Sequence, residues 1–399
     1  MTLPSVLVLQ VNTHIGLTIV RALGRKGVPV IGVSLAENGF GLRSRYLKEG
    51  RTVTYSCEAE LIENLFNLVK EVRPGFLIGV SEWLLTALNA KRKEFEQYTR
   101  FLFAPQETLD RAFDKGQTLA IAEKIGIPVP MAYDLTSADD LETLAASCVF
   151  PVVLKPSRRY VGNDVHLNFE HHYIWSANEL VDFLRPYSNA GYYPLIQRYY
   201  PGQGVGIEVC IYHGEPLAVF QHRRIREFPV NGGPSVYRRS EHPDPRLADW
   251  SLQLLRAMKW EGVAMVEFRE DSLTGDVVLM EVNGRFWGSL ALPVHAGVNF
   301  PYLLYKSMGL GTPYKIEAYR EHLYCRQLSA DTKWLWHMLR GASRHSPLPP
   351  PCGRLVAIVQ YMRAFFECWH YDIEWIDDLR PALAFWGHRF KIIKDLGNR

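Results

Sequence analysis

The first hundred residues alternate between continuous apolar runs and amphipathic stretches. "SVLVLQV" (5–11) is apolar almost throughout, the pattern of a strand buried on both faces. "THIGLTIVRALGRKG" predicts a helix closing at Gly27, and "VPVIGVS" predicts a second strand. "LIENLFNLVKEVRPG" (61–75) and "FLIGVS" (76–81) repeat the helix-strand order. This β-α-β alternation predicts a doubly wound parallel α/β domain over residues 1–105. Its first turn, "QVNTHIG", lacks G-x-G-x-x-G, so a dinucleotide fold is not supported there.

Further along, "LDRAFDKGQTLAIAEKIGIPVP" (109–130) reads as a helix with Leu119, Ala122 and Ile125 on one face. Gly126 ends it and Pro128 prevents its resumption. "FPVVLKP" (150–156) and "YPLIQRYYPG" (193–202) read as strands. "GVGIEVCIYHGEPLAVFQHRRI" (204–225) reads as a hairpin about "YHGEP". "DPRLADWSLQLLRAMKWEG" predicts a helix, and "VAMVEFRED" and "VVLMEVNGRF" predict two strands joined through "SLTGD". From about residue 311 the chain becomes rich in Trp, Tyr and His, with "RHSPLPPPCG" as a linker.

A length of 399 residues favours two or three domains. Charge is nearly balanced, at +3, which argues against nucleic acid as a partner. The six cysteines are scattered without a CxxC pair, which fits reduced thiols in a cytoplasm and neither a zinc site nor a disulfide framework. The N-terminus carries no basic leader, and no window of 18 or more apolar residues is present.

The chemistry concentrates in "VVLMEVNGRFWGSLAL" (277–292). Strand residues alternate faces, so Glu281, Asn283 and Arg285 are expected on one side. The hairpin can bring Glu267 of the partner strand beside Glu281. Two carboxylates and an amide oxygen are hard ligands suited to Mg²⁺ or Mn²⁺. A sheet edge with solvated charges is the plainer alternative. The apolar neighbours Met265, Val266, Phe268, Leu279, Met280 and Val282 weigh against it.

Taken in order, these segments resemble the ATP-grasp superfamily of carboxylate–amine ligases, over residues 5 to 305. The resemblance implies a small ATP-grasp subdomain over 106–195, a large one with the metal site over 196–310, and a helical, aromatic-rich extension over 311–399. It implies that Lys115 and Lys155 hold ATP phosphates. Gln197, Arg198, Tyr199 and Tyr200 would lie along the adenine, and Glu208 would approach the ribose. Glu267, Glu281 and Asn283 would bind one or two Mg²⁺ ions, and Arg285 would face the transferred phosphoryl group. The implied substrates are a small-molecule carboxylate and an amine, joined through an acyl phosphate with release of ADP and phosphate. A nucleotide-binding regulator without turnover, and carboxylase or carbamoyl-phosphate chemistry, are the alternatives.

Three departures from the family pattern stand out. "SRRYVGND" follows Lys155 where relatives carry a glycine-rich turn. Arg198 replaces a common acid, and Gly284 replaces a common proline, a change expected to loosen the turn. "FQHRRIREFPVNGGPSVYRRS" (220–240) is the most distinctive piece. Arg223 or His222 is expected at the γ-phosphate, with "NGGPS" able to close over a site; alternation leaves open which of Arg223 and Arg224 points inward. In the tail, Leu355, Val359, Met362 and Phe366 form an apolar helix stripe. Packing against the body is the first expectation for that stripe, with a homodimer or a membrane-surface contact as alternatives.

Overall fold

The computed structural model describes residues 3–37, 39–135, 141–156, 171–187, 194–230, 232–341 and 351–397, with side chains up to 391. The N-terminal region runs β1 (Val6–Leu9), α1 (His14–Gly24), β2 (Val30–Ser34), β3 (Glu49–Thr52), α2 (Glu58–Val72), β4 (Phe76–Ile78), α3 (Glu82–Ala90), α4 (Arg92–Phe95) and β5 (Arg100–Phe101). Its strands pair in parallel in the order β3-β2-β1-β4-β5, as the alternation of runs predicts. Every residue of β1 is fully buried, because helices cover both faces of a parallel sheet. The strand order reverses at β1, so the N-terminus of α1 opens at the topological switch point. Thr13 caps that end, accepting from Gly16 N at 3.0 Å.

The next helix divides where one was expected. α5 (Gln106–Phe113) and α6 (Lys115–Lys124) are separated by Asp114 in an extended conformation. Its carboxylate accepts from Gln117 N at 3.1 Å, so Asp114 starts a second helix. That break sets buried Lys115 in the first turn of α6. The small sheet follows, with β6 (Ala132–Tyr133), α7 (Leu141–Ser147), β7 (Val152–Lys155), β8 (His172–Ile174), α8 (Ala177–Leu184) and β9 (Leu195–Arg198). It is antiparallel in the order β6-β9-β7-β8. The "SRRYVGND" segment lies outside the described residues.

β10 (Gln203–Tyr212), β11 (Glu215–Glu227), β12 (Ser235–Glu241), α9 (Pro245–Ala257), β13 (Gly262–Glu270) and β14 (Val277–Asn283) build the large sheet. Then come α10 (Ala291–Ala296), α11 (Phe300–Leu304), β15 (Tyr324–Arg326), α12 (Leu328–Arg340), α13 (Arg354–Glu367), β16 (His370–Tyr371) and α14 (Arg380–Gly397). The large sheet reads β14-β13-β10-β11-β12-β15-β16. The extension is helical, as expected, and it also adds two short strands to this sheet. β12 would otherwise be an edge; residues 324–326 pair with its free side, and residues 370–371 then pair with 325–326.

The two faces of this sheet do different work. Val205, Ile207, Val209, Val266 and Phe268 pack under α5, α6 and α9 in one core. Cys210, Phe220 and Met265 on the other face pack against the N-terminal region, and the polar site occupies the rest of that face. The C-terminal extension ties the halves together. Arg21 of α1 meets Asp378 at 2.9 Å with both side chains fully buried. Asp378 also accepts from Ser44 Oγ at 2.6 Å and Arg45 N at 3.0 Å.

Removing one member of a buried ion pair strands the other charge. Asp378→Ala is expected to cost about 3–5 kcal/mol of stability, read as a lower urea midpoint than wild type. A change within about 0.5 kcal/mol would show that the C-terminal segment does not hold the N-terminal region.

Candidate active site

The register of the β13–β14 ladder sets Glu267 directly opposite Glu281, and Met265 opposite Asn283. Directly opposite residues share a face, so Glu267, Glu281 and Asn283 project together. Asn283 Nδ2 donates to Glu281 Oε1 at 3.2 Å. Among the described residues no three His, Cys, Asp or Glu side chains gather as a metal cage. The oxygen set here is two carboxylates and one amide, which suits a hard cation that takes its remaining ligands from phosphate and water.

Cations from other elements lie beside these acids. Lys115 Nζ lies 3.1 Å from Glu281 Oε2. Lys155, at the end of β7, is buried and feels the charges of Lys115, Glu281, Arg269 and Glu267. Burial, helped by the Lys115 charge, pushes its amine down to about 7. Arg224 binds Glu267, and its Nη1 lies 3.4 Å from Glu227. Burial opposes its charge, but the two carboxylates outweigh that and hold the guanidinium above its usual value. Arg269 reaches Glu227 at 3.2 Å. Each acid of the site is thus matched by a long basic side chain.

Register also decides between the adjacent arginines. Gly206 pairs with His222 and Val205 with Arg223, so Arg223 lies on the opposite face from Glu267. It is held there by Glu241 at 3.0 Å and by Glu270. The inward arginine is Arg224, and the expectation of Arg223 at the phosphates is corrected. His222 and Glu208 are both buried and bind each other, Nδ1 to Oε1 at 2.6 Å. A Cβ at position 206 would collide with the His222 ring, so Gly206 is what lets the imidazole lie over the sheet. Burial raises the Glu208 carboxyl while His222 and Ser289 pull it down. In this arrangement neither residue is open to a nucleotide, which departs from their expected ribose and γ-phosphate contacts.

Arg285 lies past the end of β14, where regular alternation has stopped. It reaches Glu82 of α3 at 3.0 Å and its own neighbour Phe286 O at 3.0 Å, tying the strand end to the N-terminal region. Gly284 lies close under Trp260, where a Cβ would collide with the ring. Gln197 is buried in the small sheet and Arg198 is exposed, its N–H donating to Met131 O at 2.9 Å. Tyr199 and Tyr200 carry the chain from β9 to β10, with Tyr199 5.8 Å from the Tyr173 ring of β8. Gly232 of the "GGPS" loop packs against the Tyr173 hydroxyl, so that loop touches the small sheet across the cleft.

Arg224 is one of two open choices in the sequence, while Arg269, Glu227, Glu82 and Tyr173 do not stand out in it. Arg224 and Arg269 carry a usable signal, each standing two residues beyond a site-face residue on its strand. Glu82 and Tyr173 carry none, since only the packing of separate regions brings them in.

A family profile described as "ATP-grasp in the biosynthetic pathway with Ter operon" matches residues 193–329, which hold β9 to β15. The chain is also similar to the biotin carboxylase–β-γ-ATP complex from Campylobacter jejuni, at TM-score 0.64 and 16% identity over 80% of this chain and 74% of that one. The chain has an ATP-grasp fold. Further ATP-grasp structures match at similar distance. The biotin carboxylase domain of Hydrogenobacter thermophilus 2-oxoglutarate carboxylase, with MgADP and bicarbonate, gives TM-score 0.64 at 15% identity over 81% of this chain and 74% of that one. An L-amino acid ligase from Bacillus licheniformis gives 0.59 at 15% identity over 77% and 75%.

An amine lowered to about 7 regains its proton when an anion arrives beside it. ATP binding is therefore expected to take up close to one proton at pH 8 and much less at pH 6, from calorimetry in buffers of different ionisation enthalpy. Binding without proton exchange at pH 8 would place Lys155 away from the phosphates.

Proposed function

We propose that the protein is an ATP- and Mg²⁺-dependent ligase that activates a carboxylate as an acyl phosphate and joins it to an amine. One observation carries this reading: Lys115 of α6 and Lys155 at the end of β7 gather beside the Glu267, Glu281 and Asn283 face of the large sheet. A phosphoryl-transfer site must bind both a polyanion and the cation that accompanies it. Side chains of both signs, close together in a partly desolvated cleft, meet that need.

The ion pairs of the site support a counter-ion exchange. Lys115 rests on Glu281 and Arg224 on Glu267. With ATP present, both basic side chains turn to phosphate oxygens, and Glu267, Glu281 and the Asn283 amide oxygen become available to hold Mg²⁺ or Mn²⁺. The bound cation supplies positive charge to the phosphate tail. Lys155 holds phosphate as a point charge, and the Gln197–Tyr200 connection lines the adenine side. Arg269, Arg224 and Lys155 offset the repulsion between substrate carboxylate and γ-phosphate.

A substrate carboxylate oxygen then attacks the γ-phosphorus in line, and the bond to the β–γ bridging oxygen breaks to release ADP. The amine lone pair attacks the acyl carbon, the bond from carbon to phosphate oxygen breaks, and phosphate leaves. The amine loses its proton to solvent. No protein nucleophile is required.

The test is ADP and phosphate release with a panel of amino-acid pairs, and with bicarbonate as the sole carboxylate. Pair-dependent release with an amide product supports the ligase; bicarbonate-dependent release alone moves the reading to carboxylase chemistry. Glu281→Gln is expected to slow release by on the order of a hundredfold or more with the far-UV circular dichroism unchanged. Undiminished turnover in that variant would remove the site from the reaction.

A further inference from the structure

Helix α13 is built the wrong way round for a helix of a water-soluble body. Its buried side chains are the small ones, Ala357 and Ala364. Leu355, Val359, Met362 and Phe366, with Trp369 just beyond the helix, fall on one stripe and are 79, 64, 53, 78 and 75% exposed. Of the 21 exposed large apolar side chains among the described residues, 13 lie between Trp336 and Phe390. The expectation that this stripe packs against the body is overturned, and the reason lies beneath the helix. Arg226 and Arg326 share Asp331, and Arg326 stacks on the Tyr361 and Phe365 rings at 4.2 and 4.3 Å. The inner side of α13 is thus committed to a charged layer.

Charge decides what the outer side fits. Every acid between residues 351 and 391 is engaged within the fold. Asp372 binds Arg238, Asp377 binds Arg25, Asp378 binds Arg21, Glu367 binds Arg363 and Glu374 accepts from Trp386. Arg354, Arg380 and Arg389 have no acidic partner among the described residues. At 100° per residue, unpaired Arg354 falls on one edge of the apolar stripe and Arg363, still largely exposed beside Glu367, falls on the other. An anionic lipid surface satisfies both features, taking the apolar stripe below its headgroups and the guanidinium edges at their phosphates.

We infer that α13, with Trp369, docks this protein on an anionic phospholipid surface, lying in the plane of the interface. Fourteen residues give a helix of about 21 Å, short of a hydrocarbon core. No helix among the described residues is long and apolar enough to cross a membrane. The inference uses nothing of the ligase chemistry.

Flotation of the full chain with vesicles tests it directly. In low salt the chain is expected to float with phosphatidylcholine vesicles containing roughly 30% phosphatidylglycerol, and about tenfold less with phosphatidylcholine alone. The double substitution Phe366→Glu, Trp369→Glu is expected to cut the bound fraction about tenfold, at an unchanged melting temperature, since both side chains are exposed. Arg354→Glu with Arg363→Glu should remove the preference for anionic lipid. Failure of the wild type to float, or flotation indifferent to these substitutions, overturns the inference. So does a dimer in sedimentation equilibrium that Phe366→Glu dissociates, which assigns the stripe to a second copy.

Discussion

The site depends on a single ladder register, the one that sets Glu267 against Glu281. A slip of one residue would turn every alternate side chain of β14 to the other face, sending Glu281 and Asn283 into the apolar core under α5, α6 and α9. The register is held by that same core. Phe268, Leu279 and Val282 are buried on the far face and cannot be turned to the cleft without exposing their surface. The apolar side of the hairpin therefore specifies the polar side, and the acids are held together against their mutual repulsion.

That repulsion also explains the density of basic groups around them. Two close carboxylates in a partly buried cleft need counter-charge, and Lys115 and Arg224 supply it from different elements. Lys115 owes its position to the Asp114 break between α5 and α6. Arg224 owes its position to the Gly206–His222 pairing that sets the phase of β11. The same cations suit a triphosphate, so the arrangement that balances charge without ligand also prepares a place for one.

The C-terminal extension works by a related logic of arginine and acid. Body arginines 21, 25, 226 and 238 each take an acid from the extension, three of these pairs being buried. Consuming its acids inward leaves the extension basic and apolar outward, the combination that suits a lipid interface.

Much of this was readable along the chain. Continuous apolar runs for β1, β2 and β4, the hairpin turn after Tyr212, and the Glu-x-Asn strand end all rest on local periodicity, which a one-dimensional sequence carries in full. Which arginine of an adjacent pair turns inward, whether His222 meets solvent or Glu208, and where Arg285 ends its reach rest on strand phase and on partners 14 to 203 residues away. Nothing local encodes those contacts. The sequence by itself determined the element order, the alternation of faces and the presence of acids and lysines able to serve one site. The tertiary structure alone decided which of them meet, because side-chain neighbours across strands and between domains are set by register and packing, not by spacing along the chain.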